Sequence, residues 1–598
     1  MFQGRLSEFL QKTQNLKLCL QLAEQSKAAC IRVLVATGVA GRFIENRIKI
    51  EISRDFNKFC SIFHYSIFSY RLLPSVLCFL KGQPRSNRIT DQIPSVSTDE
   101  RSNMRLKTCL AAGVVALCVV TSILAATQSR GPAKVKAIAN GGRSSDWPMF
   151  GRDMAGSHYN PNEKLLTPAT VSRLKPKWVF ETGGDVSAQP TVVAGVVYFG
   201  SWDGKEYAVD AKAGTKIWEY DCGNPSRSGA AYGDGVLFFG DLGGTLHAVD
   251  AKTGALKWKI KVDSHKETVA TGSPIYHNGR VYIGVASHEE GAILKYGAKY
   301  ECCTFRGGVA AFDAKTGAQV WRWYTIPETP TDRGKDKKGV TIMGPAGGAV
   351  WSTVTVHPDT NRLYVTTGNQ YTPPASKFPN AIVALELATG KLVWSYQATP
   401  GDIWTFGCAN LAECSDLDVD FGSTPMVFKG PGGRPAIGAG QKSGWFYALD
   451  PKDGKLLWST EVGPGGKLGG IEFGDATDVE RVYAAVSNFP KQGSVSALDG
   501  ATGKILWQTK SPDNGSNFGP ITVTGTGDNR LVFAGTNKNF IRAYDAKDGK
   551  ILWEFDTGGA VGGGPTVVDG VLYVGSGYQF LRVGKPNKKL YAFSIDGK

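Results

Sequence analysis

Residues 248–258, AVDAKTGALKW, carry the pattern on which the whole chain is built. Apolar and polar residues alternate up to Asp250, a Lys-Thr-Gly turn follows, and Trp258 stands four residues after Gly254. Alternation predicts a half-buried strand, and a Gly that tolerates a left-handed backbone predicts the turn into the next one. The Asp carboxylate can accept the turn's backbone amides, and the Trp falls where neighbouring units meet.

The phrase recurs as Asp210/Gly214/Trp218, Asp250/Gly254/Trp258, Asp313/Gly317/Trp321 and Glu386/Gly390/Trp394, then as Asp450/Gly454/Trp458, Asp499/Gly503/Trp507 and Asp545/Gly549/Trp553. These are seven complete copies. An eighth, SIDGK at 594–598, ends before its Trp, while Trp178 in KPKWVFETGG (175–184) has no such turn before it. An N-terminal strand that completes the last unit is therefore predicted, and ring closure would remove the exposed sheet edges. From Trp178 onward the Trp-to-Trp intervals are 40, 40, 63, 73, 64, 49 and 46 residues. About forty residues is the period of a four-stranded blade. The prediction for 147–598 is an all-β, eight-bladed β-propeller with tryptophan-docking repeats.

The 598 residues are 42% hydrophobic and 20% charged, a globular composition. A formal charge of +15 invites a nucleic-acid reading, but +7 lies in residues 1–103 and +2 in 104–126, leaving +6 for the rest. Spread over the remainder, that is an ordinary solvated surface, so no nucleic-acid partner is expected. Residues 104–126, MRLKTCLAAGVVALCVVTSILAA, have basic residues ahead of an apolar run and small residues at its end, the layout of a secretory signal peptide. Leu117 before Cys118 makes a poor lipobox, so no stable membrane anchor is expected. Residues 1–103 read as a non-domain extension ahead of a start at Met104, and 127–146 as a polar linker. Export to the periplasm agrees with the cysteines. Cys408 and Cys414 close a short loop and are expected to pair, and Cys222 reads as a buried small residue. No C-x-x-C-H occurs, so the chain carries no covalent c-type haem.

Blades three to five carry additions, at 288–305, 327–344 and 401–421, and propellers place function on loops at one end of the channel. The first addition contains HEEGAILKYGAKYECC. Its Cys302 and Cys303 either join in an eight-membered ring or stay apart, and Glu289 and Glu290 at the strand end are either ligands or a solvated loop. Trp351 is additional to the repeat's own Trp394 and lines the channel or packs in the core. Asn369 ends the next strand, where its amide could act as an oxygen ligand. In the third addition Asp416, Asp418 and Asp420 alternate, which on an extended segment puts them on one side. Carboxylates so crowded repel unless a cation or proton intervenes; otherwise the loop is flexible and acidic. Lys442, in GAGQKSG, is within reach of them.

The opening DWPMFGRD, the repeats GVVYFGSWDGKEYAVDAKAG and the pair Trp351 and Asn369 resemble the pyrroloquinoline quinone (PQQ)-dependent alcohol dehydrogenases. YECCTFRGGVAAFDAKTG and GAGQKSGWFYALD look most like the polyvinyl alcohol dehydrogenase branch. The resemblance covers roughly 146–598. It implies that Glu289, Asn369 and Asp418 hold a divalent cation, Ca2+ by default, and that Trp351 stacks under PQQ. It also implies that the Cys302–Cys303 ring covers the other face, although in the methanol-oxidising branch the vicinal pair lies in an earlier blade. Thr271 would meet a cofactor carboxylate, and Lys442 the quinone oxygens. The family commonly has Trp-Asp after its TP-x-D segment, but here TPGDIW is followed by Thr405. The base is therefore assigned to Asp418, with Asp420 second and Asp402 third. An Asp two residues beyond the base resembles the lanthanide-using relatives. Ser187 stands where many relatives carry a cofactor-contacting Glu.

Together these imply hydride transfer from a secondary or polymeric alcohol, with Asp418 taking the hydroxyl proton, the cation polarising a quinone carbonyl and Lys442 adding charge beside it. With no haem in the chain, the electrons would pass to a separate cytochrome c. The competing expectation is a non-catalytic propeller, a binding or outer-membrane assembly scaffold like the BamB lipoprotein, which shares the repeat.

Overall fold

In the computed structural model seven tryptophans, Trp178 through Trp507, are each laid over the turn Gly of the following unit. A Cβ added to Gly254 would come within 2.8 Å of the Trp218 ring, and one added to Gly549 within 2.4 Å of Trp507. Both glycines also adopt left-handed backbone angles, φ +73° and +76°, so the turn needs Gly for its conformation and for the ring above it. The indole N–H then reaches across to the neighbouring unit. Trp218 donates to the Ala251 carbonyl at 3.1 Å, Trp258 to Ala314 at 2.9 Å and Trp507 to Ala546 at 3.0 Å. The turn Asp works as expected: Asp250 Oδ1 accepts the Lys252 and Thr253 amides. Three residues thus tie one sheet to the next.

The structure describes residues 145–598 and two short paired strands, Arg32–Ala36 and Arg47–Glu51. The expected signal segment at 104–126 lies outside the described residues, as do nearly all of 1–103 and of the 127–146 linker. From 174 onward the chain forms eight antiparallel four-stranded sheets, two of them extended by a short fifth strand. In the first, Thr191–Val193, Val196–Gly200, Lys205–Asp210 and Lys216–Asp221 follow one another from channel to rim. The eighth is composite. Thr566–Val568, Val571–Ser576 and Lys589–Ile595 come from the end of the chain, and Leu174–Glu181 supplies the outer strand. The ring closes as predicted, and Trp553 seals it by donating to the Leu174 carbonyl at 3.2 Å. Apolar clusters fill the seams between sheets. One joins Val568, Tyr573 and Leu590 of the eighth to Val192, Val197 and Phe199 of the first.

Residues 147–160 cross one end of the channel and touch the innermost strand of seven sheets. Trp147 pairs with Val192, and the Pro148, Met154, Ala155, Ser157 and His158 carbonyls accept the Tyr232, Val356, Val427, Thr477 and Val523 amides. Asn160 donates to the Val567 carbonyl at 2.8 Å. Backbone groups on the channel-facing edges are thereby satisfied, and the opposite mouth is left to the insertions. Among the described residues no helix is long and apolar enough to cross a membrane.

Candidate active site

Lys442 follows an inner strand of the fifth blade, Pro435–Gly440, and is almost fully buried. Its ammonium donates to Asp418 Oδ1 at 2.8 Å and lies 3.6 Å from Asp420 Oδ2. Asp420 also accepts the Trp351 indole N–H at 3.2 Å and the Asn369 amide. Five of the expected residues, Trp351, Asn369, Asp418, Asp420 and Lys442, therefore form one connected group. Asn369 commits its side-chain nitrogen to the Gln370 and Trp404 carbonyls.

The group is short of positive charge. Burial, reinforced by Asp420, outweighs the Lys442 ammonium and lifts the Asp418 carboxyl to about 7. Burial lifts the Glu472 carboxyl to about 8 despite Lys442, with Asp418 and Asp420 adding to the rise; its Oε1 has no hydrogen-bond partner. Glu290 is raised well above the carboxylate range by burial and then by Asp418 and Asp420. Burial alone would lower Lys442, but Asp420, Asp418 and Glu472 more than offset it and keep the amine protonated. Four carboxyl groups share one ammonium, an environment that favours a bound cation. Among the described residues no three His, Cys, Asp or Glu side chains converge closely enough to hold a metal by themselves. A cation here would need the Asn369 amide and ligand oxygens as well.

Beside this group lies a cavity at the channel axis, open in part to solvent. Trp351, Thr271, Ser187, Arg227, Phe473 and Tyr578 are on its wall, and Phe150 of the channel-crossing segment faces it from below. Arg227 donates to the Thr271 hydroxyl and, at 3.1 Å, to Tyr578 Oη. A flat, carboxylate-bearing cofactor such as PQQ fits this wall: an indole for its face and a guanidinium with hydroxyls for its acids. Ser187 accepts the Trp202 indole at 2.8 Å.

Four expectations need correction. Glu289 turns inward: its carboxylate accepts the Tyr300 hydroxyl and the Thr304 and Phe305 amides. Burial alone would raise it, but His265 and those amides hold it low. A 3-10 turn over Glu289–Gly291 sends the neighbouring carboxylate, Glu290, toward the charged group instead. Asp416 does not join Asp418 and Asp420, because Asp416 and Asp418 take left-handed angles, φ 57° and 55°, that break the strand alternation. Asp416 is exposed and pairs with Lys467. Asp402 is fully committed: it accepts the Asp418 and Val419 amides, the Ser415 hydroxyl and the Asn380 side chain. It holds the Asp418 loop in place. The Cys302–Cys303 disulfide forms, as does Cys408–Cys414, but Cys302 and Cys303 exchange backbone hydrogen bonds with Met343 of the 341–344 strand. Cys302 consequently lines a second cavity, between the insertions, while Trp351 lines the first. Cys222 is buried and unpaired, as expected.

Sequence reading missed Arg227, Glu472 and Tyr578, and it weighed Glu290 only beside the preferred Glu289. Glu290 had a signal in the Glu-Glu pair, one residue out of phase; the other three reach the site only through ring closure and long loops.

Residues 147–465 match the family profile described as "Glucose/ethanol/alcohol dehydrogenase, beta-propeller domain". Residues 491–597 match "Outer membrane protein assembly factor BamB", a stretch of regular blades without the insertions. The chain is 35% identical to a polyvinylalcohol dehydrogenase from Pseudomonas sp, covering 76% of this chain and 77% of that one. It is 32% identical to a polyvinylalcohol dehydrogenase from Sphingopyxis sp., with the same shares covered. Among solved structures, the quinohemoprotein alcohol dehydrogenase ADHIIG from Pseudomonas putida superposes with a TM-score of 0.63 at 23% identity, over 78% of this chain and 83% of that one. That likeness speaks for the fold.

Proposed function

The chain belongs to the PQQ-dependent alcohol dehydrogenase family and is similar to its polyvinyl alcohol dehydrogenases, and from that premise we propose that it oxidises secondary or polymeric alcohols in the periplasm. The observation that carries the reading is the contact between the buried Lys442–Asp418 pair and the Asp420 carboxylate that holds Trp351 and Asn369.

PQQ, when bound, supplies the hydride acceptor. Trp351 offers it a face, and Arg227 and Thr271 line the wall that takes its carboxylates. Asn369, Glu290 and Asp420 offer the hard oxygen atoms that a calcium or lanthanide ion prefers. Asp418 takes the alcohol's hydroxyl proton. With its carboxyl near 7 it is a stronger base than an ordinary Asp yet still largely ionised in mildly alkaline medium. Lys442 orients that carboxylate and keeps a fixed positive charge beside the reacting atoms. Closely packed aromatic rings at the mouth, Phe473 on Trp351 and Tyr578 on Phe518, exclude water. Export through the 104–126 segment and electron transfer to a soluble cytochrome c complete the proposal, and the two disulfides suit an oxidising compartment.

Titrating the purified full chain with PQQ in the presence of calcium tests it. An absorbance change that saturates, followed by reduction of an artificial dye on adding 2-propanol, is expected. Absence of any saturable change would remove the enzyme reading and favour a scaffold.

A further inference from the structure

We propose that the basic loops on the mouth side of blades six to eight dock an acidic one-electron haem protein, above a run of aromatic rings that leads from the reaction centre. The proposal rests on the alcohol-oxidation reading and adds to it where the acceptor sits and what charge its surface carries.

Residues 488–493, 536–539 and 577–588 join the second and third strands of those blades, at the end where blade three carries its 288–305 insertion. Together they hold Lys491, Lys538, Arg582, Lys585 and Lys588 and no Asp or Glu. All five cations are exposed, and among the described residues none forms an ion pair. The acids on this side of the same blades have other partners. Asp513 and Glu554 bind Arg542, Glu181 binds Lys589, and Asp556 caps the Gly558 amide. Asp185 feels the Lys588 charge but is buried and accepts the Gln579 and Asn587 amides. Across the mouth the 327–344 insertion interleaves its basic residues with Glu328, Asp332 and Asp336, so the unmixed charge belongs to blades six to eight. Hydrogen bonds make the loops one surface. Asn537 donates to the Val583 carbonyl at 2.9 Å and accepts the Ser516 amide at 2.8 Å, and the Ser516 hydroxyl donates to the Lys491 carbonyl at 3.2 Å. Leu581, 49% exposed, stands beside Arg582 as an apolar centre. Beneath, Phe473 meets Trp351 at 5.7 Å, Tyr578 meets Phe473 at 6.1 Å, and Phe580 meets Tyr578 at 6.3 Å between ring centroids. Tyr578 and Phe580 belong to the 577–588 loop, so the rings run unbroken from the indole that offers the cofactor its face to the docking surface. Electron transfer weakens steeply with distance, which favours an acceptor seated here over one on the outer faces of the blades. Two electrons leave for each alcohol oxidised, each reducing one ferric haem to ferrous, and the two protons pass to water. Opposite charge speeds such an encounter and orients it.

The test uses the full chain and a soluble c-type cytochrome of acidic isoelectric point, compared with the same cytochrome after its surface carboxylates are capped as neutral amides. Calorimetry with the cofactor-free chain at low ionic strength should show binding of the acidic form, weakened by added salt and by capping. The triple variant Lys538→Glu/Arg582→Glu/Lys585→Glu should weaken binding at least about tenfold, because like charges then face each other. Lys212→Glu/Lys452→Glu/Lys547→Glu makes the same charge change on exposed turns at the other end of the ring and should leave binding unaltered. With PQQ, calcium and 2-propanol, the first variant should reduce limiting cytochrome more slowly by a similar factor, while reduction of a neutral dye is unchanged. Absence of binding by wild type, equal effects of the two triple variants, or tighter binding of the capped cytochrome overturns the surface. So does binding only to phosphatidylglycerol vesicles, which would make these loops a lipid-facing patch. If wild type oxidises no alcohol yet binds the acidic cytochrome through Lys538, Arg582 and Lys585, the oxidation reading fails and the docking surface stands.

Discussion

The first two blades and the third to fifth are cut to the same strand pattern but treat their carboxylates in opposite ways. In the second blade Asp250 sits on an exposed turn, accepts the backbone amides around Gly254, and is held below the ordinary range by hydrogen bonds from Lys257 and Thr253. On the enlarged side Glu290, Asp418, Glu472 and Asp475 are pushed upward by burial. The bare blades use charge mostly to fix turns, with Glu206 of the first blade the carboxyl that burial pushes upward there too. The enlarged blades bury charge where it is costly, and a native fold tolerates that chiefly where chemistry or a ligand needs it.

The contrast can be broken most directly at its two ends. Asp418→Asn is expected to cut turnover about a thousandfold, within the span of a lost general base, while the PQQ absorbance titration is retained. In wild type kcat/KM should fall as the medium is acidified through about pH 7, because the base becomes protonated, and the Asn variant should lack that limb. Asp250→Asn with the same loss of turnover would erase the distinction between the two regions. Trp258→Ala should cost about 3–5 kcal/mol of stability, read by chemical denaturation, since it removes both the ring over Gly317 and the hydrogen bond to Ala314.

An effect no larger is expected at Asp475, whose buried carboxyl is raised from 3.8 to about 7 and accepts the Gly440 backbone amide at 3.0 Å. Between those values the folded protein keeps a proton that the unfolded chain has released. Stability should therefore decline as pH rises through that window, by up to about 1.4 kcal/mol per pH unit. Asp475→Asn should flatten this dependence, making the variant relatively more stable at pH 8 than at pH 5 in denaturation curves. Asp416→Asn should do least. Its pair with Lys467 is exposed at the surface, so melting temperature and turnover should stay within error of wild type.

The architecture was legible because its determinants are local. Asp, Gly and Trp lie within eight residues of one another, and the orphan Trp178 identified the strand that closes the ring. The site was legible where a residue closely follows an inner strand, as Asn369 follows Arg362–Thr366 and Lys442 follows Pro435–Gly440. It blurred where the backbone leaves regular geometry. The 3-10 turn exchanged Glu289 for Glu290, and left-handed residues at 416 and 418 undid an alternation that assumed an extended strand. Arg227, Glu472 and Tyr578 carry no local mark, since what brings them together is the closed circle of blades.

That circle has a consequence for how the molecule is made. Leu174–Glu181 pairs with Lys589–Ile595, so a strand near the start of the propeller waits for one synthesised much later. Loop-closure entropy over some four hundred residues makes this a late event. Lys589–Ile595 lies inside the eighth sheet, between Val571–Ser576 and the waiting strand. Shortening the tail by ten residues would therefore excise a middle strand and reopen the whole ring.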